Sequence, residues 1–183
     1  MNPIEIIEKY YDPRSEIFQI LVSHCEAVRD KALQIATNLE KKKGVKIDKE
    51  FLNEASMLHD IGVFLVSAHG IDCNGNEPYI KHGILGREIL EKEGLPKHAL
   101  VSERHVGVGI TKEEIERERL PLPKRDMLPE SIEEKIICLA DLFFSKSRVD
   151  AKKEKSINDI KKNYEKFGKD NISRLNVLIA ELL

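Results

Sequence analysis

Apolar residues recur along this chain at helical spacing, and alternating strand patterns are nearly absent. Asn2, Pro3 and Glu5 form a cap, a first-turn proline and a capping-box acid, which predict a short opening helix. A second helix is predicted from near Ser15 to Val22. Ser23 and Glu26 repeat the capping-box spacing and predict a fresh helix starting at His24. Val28, Ala32, Ile35 and Leu39 carry that helix to Lys41-Lys42-Lys43-Gly44, since cations and a glycine suit a helix C-terminus.

Asp48 caps the next predicted helix, with Phe51, Leu52, Ala55 and Leu58 inside and Gly62 just past its end. Residues 66 to 78, with Gly70, Gly75 and Pro78, read as loop. Ile80 to Glu93 is a predicted helix closed by Gly94, and Pro96 opens another that runs toward His105. Thr111 with Glu114 boxes a charged helix, followed by a stretch punctuated by Pro121, Pro123 and Pro129. Ser131 with Glu134 starts the helix that carries Asp141. Two amphipathic helices around Gly168 close the chain, one through Ile157, Ile160, Tyr164 and Phe167, the other through Ile172, Leu175, Ile179 and Leu182. Helix packed on helix is the layer architecture this pattern supports: an all-α bundle, one domain over 1–183, its core at about 15–148 and C-terminal helices at 156–183.

Composition fits that picture. A chain of 183 residues, 41% hydrophobic and 34% charged, reads as globular rather than disordered. A domain of this size buries roughly 70% of its unfolded-chain surface, so no staple is needed. The net charge of −2 gives no global pull toward nucleic acid or anionic membrane. The first residues show no signal-peptide pattern, and the richest apolar run, 136–144, is broken by Asp141 and too short to span a bilayer. Cys25, Cys73 and Cys138 are odd in number and widely spaced, which suits a reducing cytoplasm.

Asp141 is the first suspicious position. It sits mid-helix among eight apolar residues from Ile136 to Phe144 and should be buried or nearly so. An unpaired buried carboxylate costs several kcal/mol, so it needs a partner: an ion pair, a helix–helix hydrogen bond, or a metal ion. His59-Asp60 has a similar setting, between Ala55-Ser56-Met57-Leu58 and Ile61-Gly62. Neighbours on a helix diverge by about 100°, yet both can reach an ion midway between their directions. Alone, the pair also reads as a histidine bonded to a backbone carbonyl beside an exposed aspartate. His24, His82 and His105 each fall at a predicted helix end with apolar residues or glycine nearby. His69, in the loop, and His98, in a first turn expected to be exposed, are set aside as non-ligands. Four imidazoles and two carboxylates suit Zn, Mn, Fe, Co or Ni better than Ca or Mg alone, with Mg kept as a further candidate.

The ordered set His24, His59-Asp60, His82, His105 and Asp141 resembles the HD superfamily of metal-dependent phosphohydrolases, whose signature is H…HD…D on a helical bundle. Met57-Leu58-His59-Asp60-Ile61-Gly62 is similar to its HDIG subgroup, and His82 and His105 match the two extra histidines of binuclear members. The resemblance covers about residues 15 to 148. It implies a first divalent ion on His24, His59, Asp60 and Asp141, and a second on His82 and His105 with Asp60 bridging. His59 and Asp60 would then be the catalytic pair. Two divalent cations, two carboxylates and one bridging hydroxide leave the site at about +1, which suits a phosphate. The implied reaction is hydrolysis of a phosphoester or phosphoanhydride of a nucleotide or other small phosphorylated metabolite by a metal-activated hydroxide.

Lys81, Arg87, Arg104, Lys146 and Arg148 are the candidate phosphate binders. Val63 stands where many HDIG proteins carry a lysine, and no GYP signature of the cyclic-dinucleotide branch is present. The lysine motif of the dinucleoside tetraphosphate hydrolases is absent too, so the nucleotide is not carried over from the resemblance. The chain resembles small stand-alone HDIG proteins described only as predicted hydrolases. Two alternatives remain: an HD-type diiron oxygenase and a non-catalytic nucleotide-binding module. The expected partner is a small phosphate substrate, not nucleic acid or membrane. A homodimer through the C-terminal helices is an alternative to the favoured packing of those helices on their own core.

Overall fold

A computed structural model describes residues 1–68, 71, 73–146 and 152–183. Among the described residues it has nine α-helices: α1 Pro3–Ile7, α2 Glu16–Lys43, α3 Lys49–Leu58, α4 His82–Lys92, α5 Pro96–Arg104, α6 Lys112–Glu118, α7 Ile132–Leu142, α8 Ile157–Tyr164 and α9 Lys169–Leu182. The fold is all-α in architecture. Among the described residues there is one sheet, of two-residue strands β1 Ser67–Ala68 and β2 Cys73–Asn74, paired antiparallel as Ser67 to Asn74 and Ala68 to Cys73. It lies inside the segment expected to be loop.

Local chemistry sets most boundaries. Asn2, Asp48, Ser131 and Ser156 each accept a backbone N–H with the side chain, and Thr111 and Glu114 make a complete capping box. Gly44 ends α2 in the left-handed conformation, after the three lysines. One boundary differs from the sequence reading. The expected break at Ser23 is absent, and α2 runs unbroken for 28 residues from its cap at Ser15. A capping serine needs extended backbone, whereas Ile20 and Leu21 continue the same buried stripe as Cys25 and Val28. Burial outweighs a local cap. His24 therefore sits inside a long helix rather than at a helix end.

Helix α7 is the centre of the molecule. Every residue from Ile136 to Ala140 is fully buried, as expected for a helix apolar on all sides. It packs against α2, α3, α5 and α9, and α9 supplies Leu175, Leu178 and Leu182 to the same core. A second core cluster joins Ile6, Ile7 and Tyr11 to Leu21, Cys25, Leu58, Ile61 and Leu90.

After α3 the chain turns through His59 and Asp60 into a 3-10 turn, Ile61–Leu65. That turn presses onto α4 so closely that a Cβ on Gly62 would lie 2.4 Å from both Gly86 N and His82 O. A Cβ on Gly86 would lie 2.2 Å from Ser102 Oγ on α5. The two glycines thus let three segments stack at backbone distance. Ser102 Oγ then donates to His59 O at 2.7 Å, and the buried Tyr11 hydroxyl donates to Ile61 O at 2.8 Å.

Gly62→Ala should cost about 1–3 kcal/mol, the usual range for overpacking, read as a lower urea midpoint. Unchanged stability would mean that the turn can move off α4. A second expectation concerns Glu114, whose carboxylate meets Arg174 at 2.6 Å and Asn171 Nδ2 at 2.8 Å. Glu114→Ala takes away the carboxylate and leaves Arg174 with only Asn171 Oδ1 and Gly109 O, which should cost roughly 1.5–3 kcal/mol at neutral pH. Burial alone would raise the Glu114 pKa, but Arg174 and Thr111 outweigh it and hold the value below the ordinary 4.5. The stabilisation is therefore present above the unfolded value and lost as pH falls through the folded one. Acid titration of stability in wild type and Glu114→Gln should converge below about pH 4.5; parallel curves would contradict this.

Candidate metal centre

Five separate stretches bring six side chains to one place. His24 comes from the middle of α2, His59 is the C-cap of α3 with Asp60 directly after it, His82 is the first residue of α4, and His105 is the C-cap of α5. Asp141 lies one residue before the end of α7 rather than mid-helix. The histidines and Asp60 are buried, and the Asp141 side chain is 13% exposed.

Asp60 is the hub. Its Oδ2 lies 3.3 Å from the Nε2 atoms of both His24 and His59, while Oδ1 lies 3.5 Å from His82 Nε2 and 3.2 Å from His105 Nε2. Asp141 Oδ1 closes the first group, at 2.9 Å from His24 Nε2 and 3.5 Å from His59 Nε2. Two groups able to hold a metal ion result: His24, His59, Asp60 and Asp141, then Asp60, His82 and His105. One carboxylate faces both, with a different oxygen toward each.

The donors' protonation shows why a cation fits. His59, His82 and His105 each place Nδ1 against the carbonyl three residues earlier, Ser56 at 2.6 Å, Tyr79 at 2.7 Å and Ser102 at 2.8 Å. A nitrogen facing a carbonyl carries the proton, so in each neutral ring Nε2 is a lone pair aimed into the cluster. The His82 and His105 Nε2 atoms are 3.2 Å apart and would repel each other with nothing positive between them. His24 Nε2, His59 Nε2 and Asp60 Oδ1 are buried without a hydrogen bond. Two donors ~2.1 Å from one ion, at tetrahedral or octahedral angles, are ~3.0–3.4 Å apart. The spacing of these residues fits a transition-metal ion.

Electrostatics agree. Lys146 Nζ lies 2.8 Å from Asp60 Oδ2. Burial works against its charge, but Asp60 and Asp141 hold the ammonium pKa well above its ordinary value. Burial would likewise raise the pKa values of Asp60 and Asp141, yet Lys146 and the histidines outweigh it and keep both ionised. Burial pushes His82 down to about 3, so it stays in the neutral, ligating form. Burial opposes charge on His59 too, but Asp60 outweighs it and draws a proton toward a cation-free cluster. A divalent ion would take the place of that proton.

A cavity of about 230 Å³ opens over His82, His105 and Asp141. Tyr79 and Phe144 form part of its wall, and α8 contributes Ile160, Asn163 and Tyr164. Lys146 and Lys155 also line it, the latter donating to Phe144 O at 2.9 Å. Of the five cations expected to bind phosphate, Lys146 lines this cavity. Lys81 pairs with Glu77, Arg87 with Glu91 and Glu103, and Arg104 with Glu134 and Glu130; none of the three lines it. Arg148 lies outside the described residues, as does His69. His98 is buried rather than exposed, 3.4 Å from Glu54 and edge-on to Phe51, and it belongs to neither ligand group. Sequence reasoning missed Tyr79, Lys155, Asn163 and Tyr164. Tyr164 shares the apolar stripe of α8 with Ile160, which reads as core, and the other three have no distinguishing pattern.

Comparison with known proteins agrees with this geometry. An uncharacterized protein of Methanocaldococcus jannaschii is 40% identical over 162 residues, 87% of this chain and 84% of its own length. Two proteins named tRNA (cytidine(56)-2′-O)-methyltransferase are also similar. The one from Picrophilus torridus is 34% identical over 71% of this chain, and the one from Thermoplasma volcanium is 30% identical over 89%. The chain spans only 33% and 43% of the length of those two. No solved structure matches it at a significant level. The family model of the HD domain matches residues 21–144, the span that supplies all six donors, and this chain belongs to the HD domain family.

Proposed function

We propose that this chain is a metal-dependent phosphohydrolase that cleaves a phosphoester or phosphoanhydride of a nucleotide or another small phosphorylated metabolite. The observation that carries the reading is the pair of ligand groups sharing Asp60 beneath a cavity that also holds Lys146. His24, His59, Asp60 and Asp141 would hold one divalent ion, and Asp60, His82 and His105 a second. Zn, Mn, Fe, Co and Ni suit this donor set. Bound there, such ions supply Lewis-acid polarisation of a phosphoryl oxygen and a water acidic enough to attack near neutral pH.

The chain's own residues supply the rest. The carbonyls of Ser56, Tyr79 and Ser102 hold three imidazoles in the ligating orientation, so the rings need not turn when an ion arrives. Lys146 offers a positive charge to a phosphate entering the cavity. Tyr79, Phe144 and Ile160 give the cavity apolar wall area, which strengthens interactions with those charges. A cavity of about 230 Å³ suits a single small phosphate ester rather than a polymer.

The methyltransferase name belongs to proteins more than twice as long as the part this chain matches. A match over 168 residues takes in most of the span 21–144, so we read the shared portion as an HD domain. Hydrolysis is the chemistry we assign to that portion here.

Asp60→Ala and His59→Ala should each lower phosphate release from a panel of phosphate esters by at least roughly 100-fold, with the circular dichroism spectrum retained. No turnover by wild type with Mn, Zn, Fe, Co, Ni or Mg would sink the hydrolase reading. Oxygen uptake by iron-loaded protein would put the diiron oxygenase in its place. Metal should also stabilise the fold. Adding Mn²⁺ to chelator-stripped protein at about 100 times its Kd is worth ~2.7 kcal/mol, or about 5–11 °C in Tm. An unmoved Tm would mean the donors do not bind the ion.

A further inference from the structure

We propose that Lys146 acts as a resident cation of this centre that limits its loading, so that one divalent ion binds tightly and a second only weakly. The inference rests on the metal-centre reading above and concerns how many ions the centre holds at a given free-metal concentration.

Lys146 is built into the cluster rather than placed near it. Its Nζ lies closer to Asp60 Oδ2 than either histidine of the first group, at 2.8 Å against 3.3 Å for His24 and His59. The side chain is 13% exposed and lies along the face of Tyr79, with Nζ 6.0 Å from the ring centroid. An ammonium there adds its charge to that of any ion bound to the same carboxylate.

Charge then separates the two ligand groups. The first has both carboxylates, so with Lys146 included and the imidazoles counted in the neutral form that ligates, the cluster contributes one net negative charge to set against the ions. One divalent ion brings it to a single positive charge. Without the lysine, the same ion and carboxylates would be neutral. The second group adds two neutral histidines but no new carboxylate, since Asp60 is already shared. A second divalent ion must therefore enter a site that is already positive, in a buried setting where like charges are poorly screened. Lys146 thus gives a one-ion centre the positive charge a phosphate requires and makes the second ion harder to bind.

Removing the charge tests this without relying on turnover. Chelator-stripped full-length wild type, Lys146→Met and Lys146→Arg would be dialysed against a series of free Mn²⁺ concentrations. Bound manganese would be counted, and magnetically coupled pairs followed by electron paramagnetic resonance. Wild type and Lys146→Arg should hold close to one ion per chain across a range in which Lys146→Met holds two. The second-ion Kd should fall at least tenfold in Lys146→Met, with the coupled-pair signal appearing at correspondingly lower Mn²⁺. Equal stoichiometry and affinity in wild type and Lys146→Met would overturn the inference while leaving the metal centre standing. Lys146→Arg behaving like Lys146→Met would also overturn it, because charge would then not be the cause. No manganese on any of the three would overturn both this inference and the metal centre beneath it.

Discussion

A carboxylate with no exposed surface cannot remain ionised alone, and Asp60 is such a carboxylate at the meeting point of five segments. An isolated charge there would cost several kcal/mol. Its surroundings answer that cost from both sides, with His24, His59 and Lys146 at one oxygen and His82 and His105 at the other. Much of the local architecture serves to bring those partners in. Gly62 and Gly86 let the turn after Asp60, α4 and α5 approach at backbone distance, and Ser102 ties α5 back to His59. The same serine's carbonyl orients His105. Packing and ligand orientation are therefore one set of contacts here, and loosening the stack would loosen the donors with it.

The sequence made that cluster legible because buried polar residues in apolar settings are few and each needs a partner. Asp141 in its run of isoleucine, leucine and alanine, and His59-Asp60 after Met57-Leu58, are visible for that reason. The helix caps are legible for a related reason: an orphan backbone N–H needs an acceptor, and short polar side chains supply it at Asp48, Thr111, Ser131 and Ser156. Ser23 shows where that reasoning fails. Its spacing to Glu26 satisfies the motif, but the buried stripe through Leu21, His24, Cys25 and Val28 outweighs one hydrogen bond.

Cations were harder to read. Lys81, Arg87 and Arg104 lie next to or near ligands in sequence, yet each pairs with a carboxylate outside both ligand groups, Glu77, Glu91 and Glu134. A long flexible side chain can reach several partners within one or two turns, so sequence neighbours of a ligand need not face it. Lys146 reaches Asp60 because the chain leaves α7 at Phe143 and folds back over the cluster. No periodicity announces such a return. His98 was misplaced for a similar reason, since its burial depends on Glu54 and Phe51 from α3 rather than on its own first turn.

The boundary of the family match adds a division of labour. All six donors fall within residues 21–144, whereas Lys146, Lys155, Ile160, Asn163 and Tyr164 lie beyond it and line the cavity over them. The part shared with the family thus supplies the chemistry of the ions. The part outside it completes a cavity that Tyr79, Val106, Gly107, Leu142 and Phe144 line from within the match. This explains why the donor set can be assigned to a family while the molecule that reaches it cannot: an imidazole's spacing is dictated by the ion, but a wall's shape is dictated by the ligand. Because α8 packs through Ile160 and Tyr164 onto the same core that buries α7, the wall is anchored to the helix that carries Asp141. Changes in the C-terminal helices can therefore alter the shape of the cavity without disturbing the donors.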